Sequence, residues 1–212
     1  MHEESTQQLM LLLIVLFPLG GAILNGLLGR VLPKTAVTLV ALGSVAVSFV
    51  LAVLSFIELY GASHGDAHAV LAYHFYEWFS VTTADGTTVP INVRFVMDSL
   101  SGVMTLVVTG IGGLIHLYSV GYMGDDEGYP RFMSFLNLFM ASILILVLGS
   151  SMPVMFIGWE GVGLCSYLLI GFWYENRDYA AAGRKAFVVN RIGDFGVIIG
   201  MLILVGVAGS FE

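Results

Sequence analysis

The chain has 212 residues, a net charge of −7, and 58% hydrophobic against 11% charged residues. Its mean hydropathy is +0.91. No water-soluble domain of this size has such a composition, so the chain reads as a polytopic membrane protein, all-α in class.

Most of the acids sit between apolar stretches, so the net charge says little about partners, and nothing suggests nucleic acid. One cysteine, Cys165, excludes an intrachain disulfide, a zinc knuckle and four-cysteine iron–sulfur ligation. No glycine-rich nucleotide motif occurs. Any redox chemistry therefore belongs to another chain.

The N-terminus holds Glu3 and Glu4 and no basic residue. A secretory signal would carry positive charge there, so Gln8–Gly29 reads as a retained first span, with Pro18 a candidate kink. Arg30 to Lys34 is a short basic turn. Ala36–Ile57 is a second, uncharged span. These two spans make a first unit over residues 1–60.

Residues 61–94 are the longest polar segment. His64, Asp66 and His68 alternate there, which is weak evidence for a metal and reads as a solvated loop. From Ala69 the sequence is rich in aromatic and β-branched residues, and Ala84-Asp85-Gly86 supplies a turn. This predicts a β-hairpin on the membrane surface, with Tyr73, Tyr76 and Trp78 suited to the interfacial belt.

Residues 95–212 are expected to hold four further spans. Asp98–Met123 begins with a carboxylate that favours the positive end of a helix dipole. His116 lies deeper, either as a satisfied core hydrogen-bonder or as a proton relay. Gly110, Gly112 and Gly113 allow close helix contact. After an acidic loop of Asp125, Asp126 and Glu127 comes the uncharged span Phe132–Gly149.

The fifth span, within Met152–Trp173, carries a single charge, Glu160, about eight residues in and so ~12 Å deep. A lone carboxylate there costs roughly 2.5–3.5 kcal/mol, which marks it as functional or as a neutral helix–helix hydrogen-bonder. Tyr174–Lys185 reads as a polar loop with Arg177, Arg184 and Lys185. The sixth span, Ala186–Gly209, carries Arg191 and Asp194 on one helix face, able to pair with each other. Its Gly196 and Gly200 form a small-residue packing pattern.

The loops after spans one, three and five hold Arg30, Lys34, Arg131, Arg177, Arg184 and Lys185, whereas the other side holds only Arg94. The positive-inside rule puts those loops in the cytoplasm and both termini and the hairpin outside. On this reading Glu160 sits nearer the outer half, and Arg191 and Asp194 in the cytoplasmic half. Lys185 snorkels at the edge or guards an entry path.

The runs GIGGLIHLYSVGYM, EGYPRFMSFLNLFMASILILVL, GWEGVGLCSYLLIGFW and KAFVVNRIGD follow one another after Asp98-Ser-Leu-Ser. In this order they resemble the largest antiporter-like membrane subunit of respiratory complex I, NADH:quinone oxidoreductase. The resemblance covers the whole chain and is sharpest from Phe95 to Asp194. It implies an antiporter-like fold, residence in the inner (cytoplasmic) membrane, other membrane-arm subunits as partners, and proton translocation coupled to quinone reduction elsewhere. NADH, flavin, iron–sulfur clusters and quinone would bind other subunits, leaving no cofactor here.

By the same resemblance Glu160 matches the family's glutamate on the fifth helix, which couples to a lysine on a later helix. Asp194 matches the acid of the NRIGD motif, and Lys185 the lysine that opens that segment. With Arg191 and His116 these are the candidate proton-translocation residues. The family's later lysine, broken helices, second repeat and lateral helix are missing from the 212 residues, so a fragment or a truncated or frame-disrupted product is expected, unable to pump alone. Without that lysine, Glu160 is expected to lack a cation and to be protonated. The alternatives are the large subunit of a multisubunit sodium/proton antiporter and a non-conducting structural membrane protein.

Overall fold

The computed structural model describes residues 2–62, 69–82, 86 and 88–208. Six helices and one hairpin occur in the order α1 (His2–Leu28), α2 (Lys34–Ala62), β1 (Leu71–Thr82), β2 (Thr88–Met97), α3 (Ser99–Tyr122), α4 (Tyr129–Leu148), α5 (Met152–Ile170) and α6 (Arg177–Ala208). All six helices are long and apolar enough to cross a membrane. The chain is a multi-pass membrane protein.

α4 is the central helix. Half of its spanning stretch is buried against 11% of that of α6, and it packs on α1, α2, α3 and α5, while α6 leans chiefly on α5. Two apolar clusters close the bundle. One, at the hairpin end, holds Leu11, Ile14, Leu59, Phe95, Met97, Leu144 and Leu148. The other, at the opposite end, holds Val37, Met123, Tyr129, Met133 and Phe172. Between them lies a polar layer in which Ser48 Oγ donates to Ile14 O at 2.8 Å and Ser134 Oγ to Ala22 O at 2.7 Å. Such bonds tie helices where no water is available for the hydroxyls.

β1 and β2 pair antiparallel from Leu71↔Met97 to Thr82↔Thr88, with irregularities near His74 and Glu77. Gly86 has φ +83°, the left-handed conformation that a tight turn asks of glycine. Ala84 and Asp85 of the expected turn, and the His64–Asp66–His68 alternation, fall outside the described residues. Phe75, Tyr76, Trp78 and Phe79 of β1 are exposed. β2 also holds the α4–α5 connection: Ser150 N–H donates to Arg94 O at 3.1 Å and Ser151 Oγ to Asn92 O at 3.3 Å.

Two expectations change. The basic segment after Asn176 is helix, not loop, so α6 begins at Arg177 rather than Ala186. The physical reason is a good start signal: Asn176 Oδ1 accepts from Asp178 N–H at 2.9 Å, and an alanine-rich turn follows. Gly183 lets this extension sit against α5, because a Cβ there would lie 3.1 Å from Gly171 N and Tyr167 O. Second, the Gly196–Gly200 face packs against nothing within the described residues, since a Cβ at either would meet no atom within 4 Å. α1 is helical on both sides of Pro18. Gly110 and Gly112 do serve close contact, against Phe49 and Met140.

Asp98 caps α3 as expected, by a capping box. Its Oδ1 accepts from Ser101 N–H at 2.7 Å while Ser101 Oγ accepts from Asp98 N–H at 2.8 Å. These bonds, the Ser101 N–H foremost, hold the Asp98 carboxyl below its ordinary value. Asp98→Ala is expected to lower stability by about 1 kcal/mol, read from the midpoint of a denaturing-detergent titration. Because the folded-state value is depressed, the ionised cap stabilises above the unfolded value near ~3.9 and fades as pH falls through the folded value. Asp98→Asn is expected to lose that acid dependence.

Candidate functional site

α5 and α6 run antiparallel, with Tyr167 beside Phe187 (ring centroids 5.5 Å apart) and Gly183 against Gly171. Continuing this register brings Glu160 level with Arg191 and Trp159 level with Asp194. Arg191 Nη1 donates to Glu160 Oε2 in a direct ion pair. The same nitrogen lies 3.8 Å from Asp194 Oδ2. Asp194 is buried, and its Oδ1 accepts from Trp159 Nε1–H at 2.8 Å. The Arg191 guanidinium also lies 4.6 Å from the centre of the Phe187 ring.

The geometry corrects two sequence expectations. Glu160 does not lack a cation: Arg191 is its partner. Nor do Glu160 and Arg191 occupy different halves of the membrane. With α6 starting at Arg177, Arg191 stands fourteen residues, or about 21 Å, along it, and Glu160 stands ten residues, or about 15 Å, from the end of α5 at Ile170. The two helix ends differ enough in level for the side chains to meet. Arg191 was expected to serve Asp194; Glu160 holds it more closely.

Lys185 is exposed, six residues or about 9 Å along α6 from Arg191 toward the basic loops, and has no ion-pair partner among the described residues. His116 belongs to a different place. It is buried among α2, α3 and α4, with Nδ1 2.8 Å from Gly112 O and Nε2 2.8 Å from Asn137 Oδ1. No hydrogen bond links it to the Glu160 group among the described residues. Sequence reasoning missed Trp159, although an indole directly before the one intramembrane acid is a visible signal. It also missed Asn137, the lone carboxamide in the apolar run from Phe132 to Leu148.

The side that carries the basic turns is built around charge. Lys34 Nζ donates to Gly124 O at 2.7 Å and Arg131 to Phe172 O at 3.1 Å. Trp173 Nε1–H donates to Asp126 Oδ2 at 2.9 Å, and this bond, ahead of the Gly128 N–H, keeps the Asp126 carboxyl below its ordinary value.

What this geometry can do chemically is exchange one guanidinium between two carboxylates. Known proteins resemble the chain in sequence. The model of the complex I chain 5 N-terminus matches residues 78–133, and the model of the NADH:quinone oxidoreductase/Mrp antiporter transmembrane region matches residues 149–212. The chain belongs to this NADH:quinone oxidoreductase/Mrp antiporter family. Subunit L of NADH-quinone oxidoreductase from Rickettsia conorii is 37% identical over 199 residues, covering 94% of this chain and 29% of its own. The Mycobacterium tuberculosis subunit L is 49% identical over 116 residues, covering 55% of this chain and 18% of its own. The Mrp complex of a Dietzia species contains a chain with the same fold, at a TM-score of 0.72 and 24% identity, over 95% of this chain and 20% of that one.

The chain therefore spans less than a third of the length of these curated relatives. The antiporter-type match contains Glu160, Lys185, Arg191 and Asp194, and the chain 5 match contains His116 and much of the hairpin. Within the family, this chain is similar to the N-terminal part of subunit L.

Proposed function

We propose that this chain carries the proton-handling glutamate of a complex I membrane subunit, which moves protons across the membrane when quinone is reduced in other subunits. The observation that supports this most is the intramembrane triad of Glu160, Arg191 and Asp194. A carboxylate paired with Arg191 is stable in the span. When Glu160 takes up a proton, the guanidinium loses its partner there and has Asp194 as the next anion, held ready by the Trp159 indole. Moving Arg191 between the two acids changes the proton affinity of Glu160 without leaving an unpaired charge in the bilayer. Lys185 lies on the route toward the basic side and is assigned the exchange of protons with that surface. NADH, flavin, iron–sulfur clusters and quinone are assigned to other subunits, and the neighbouring membrane-arm subunits are the partners.

The test is a chimeric subunit in which this sequence replaces the matching region of a longer relative in an assembled oxidoreductase. Asp194→Asn keeps the acceptor for Trp159 but removes the second anion. It is expected to cut NADH-driven proton pumping several-fold more than it cuts assembly. Equal pumping in a fully assembled Asp194→Asn complex would overturn the exchange. The fold shared with the Mrp complex supports a second reading, a sodium/proton antiporter subunit. Pumping that needs sodium and survives without NADH would favour it.

The orientation proposed places the basic loops in the cytoplasm of a bacterial inner membrane. In a Cys165→Ala background, Glu175→Cys is expected to react with an impermeant thiol reagent only after the cells are opened. Labelling of intact cells would invert the topology.

A further inference from the structure

His116 sits in a closed set of hydrogen bonds that has two self-consistent forms. Gly112 O can only accept, so the His116 nitrogen 2.8 Å away, Nδ1, must carry a hydrogen. That leaves Nε2 as the one ring position whose protonation can vary. Nε2 lies 2.8 Å from the Asn137 carboxamide, the carboxamide's other end lies 2.7 Å from Ser44 Oγ, and Ser44 Oγ lies 2.9 Å from Ala41 O.

With a proton on Nε2, every bond runs one way. Nε2–H donates to Asn137 Oδ1, Asn137 Nδ2–H donates to Ser44 Oγ, and Ser44 Oγ–H donates to Ala41 O. Without that proton, Nε2 is an acceptor and must face an N–H. The carboxamide, which has the same shape either way round, then turns over. Its Nδ2–H donates to Nε2, and Ser44 swings its hydrogen from Ala41 O to Asn137 Oδ1. Neither form leaves a ring nitrogen or the carboxamide oxygen unpaired.

The surroundings fit such a reversal. His116, Ser44 and Asn137 are all buried, on three different helices, between the two apolar clusters. Room for the carboxamide comes from α1, where a Cβ on Gly21 would overlap Asn137 Nδ2 and crowd Ser44 Oγ. The groups bonded to the ring are Gly112 from its own helix and Asn137 from α4, with Ser44 from α2 behind Asn137. No Asp, Glu, Lys or Arg occurs within 9–28, 35–57, 99–122 or 132–148, and the charges of α1, α2 and α4 (Glu3, Glu4, Lys34, Glu58 and Arg131) lie toward the ends of those helices, so no fixed charge within these stretches sets the proton count. The hydrogen-bond directions alone respond to it.

We propose that His116, Asn137 and Ser44 form a second proton-binding site, in which one proton taken up at His116 Nε2 turns the Asn137 carboxamide over and redirects the Ser44 hydroxyl. The site is separate from the Glu160 triad and does not depend on the function assigned there.

The 212-residue chain in lipid nanodiscs, labelled with ¹⁵N in histidine rings and asparagine side chains, tests it by magnetic resonance as pH is varied from about 5 to 9. His116→Gln identifies the ring signals by difference. Should that variant not fold, replacing His2, His64, His68 and His74 by Gln leaves His116 as the only labelled ring. The expected result is an Nδ1 that stays protonated throughout. The Nε2 signal shifts on protonation, and the Asn137 amide signal shifts with the same midpoint. An Nε2 that titrates while the Asn137 amide stays fixed would overturn the proposal. So would a ring that holds one protonation state across the range.

Discussion

Glu160→Gln is expected to remove most of the proton pumping attributable to this subunit while leaving its assembly intact. The asymmetry follows from the triad. Glutamine keeps the shape of Glu160 but has no proton to exchange, and the freed Arg191 has Asp194 within 3.8 Å to pair with. Insertion of α6 therefore survives. The reverse change is costlier for the fold. Arg191→Leu leaves Glu160 without a cation inside the bilayer, at roughly 2.5–3.5 kcal/mol for an ionised carboxylate, or else forces it to be protonated. Infrared difference spectra of the chain in lipid separate the cases. A protonated carboxyl band is expected at neutral pH in Arg191→Leu, absent in the unaltered chain and in Arg191→Leu/Glu160→Gln. A protonated Glu160 band in the unaltered chain would mean that Arg191 is not its working partner.

Gly158→Ala is expected to be the most destabilising methyl addition on α5. A Cβ at Gly158 would overlap Leu146 N and lie 2.7 Å from Leu146 Cα and 2.8 Å from Ser142 O, all backbone atoms of α4 with no side-chain freedom to yield. Overpacking of this kind costs about 1–3 kcal/mol, and here α5 must move away from the central helix as a unit. Trp159 and Glu160 follow directly in sequence, so the displacement also pulls the triad apart. Gly163→Ala is the control. It meets nothing within 4 Å and is expected to leave stability unchanged or slightly higher. Denaturing-detergent titrations of the two variants decide the matter: equal midpoints would show that α4 and α5 are not in backbone contact.

The spans were legible because charge avoids the bilayer core so strongly. The uncharged runs 35–57 and 132–148 needed no other signal. The hairpin was legible from its aromatic and β-branched residues, and Asp98 from its place before an apolar run. What escaped was the pairing between helices. Arg191 and Asp194 are three residues apart, so sequence favoured their mutual contact; the closer partner, Glu160, is thirty-one residues away and reaches Arg191 only through the α5–α6 register. That register was hidden by a boundary. Residues 177–185 are polar enough to read as a loop, yet their alanines and the Asn176 cap make them helix, which shifts every level on α6. His116 was singled out as a residue, but its two readings differ only by where Asn137 and Ser44 stand, and that is a tertiary fact.

The strap between the hairpin and the α4–α5 connection has a consequence for the lipid. Arg94 and Asn92 of β2 hold Ser150 and Ser151 by hydrogen bonds, and Glu160 follows nine residues after Ser151, about 13 Å along the helix. The carboxylate's depth is thus gauged from a protein ledge and not from the headgroups. A bilayer of shorter acyl chains lowers its own surface toward Glu160 while the ledge stays put, shortening the dry path between acid and water on that side. Under the function proposed for Glu160, acyl-chain length becomes a dial on how readily the glutamate exchanges its proton, turned from outside the protein.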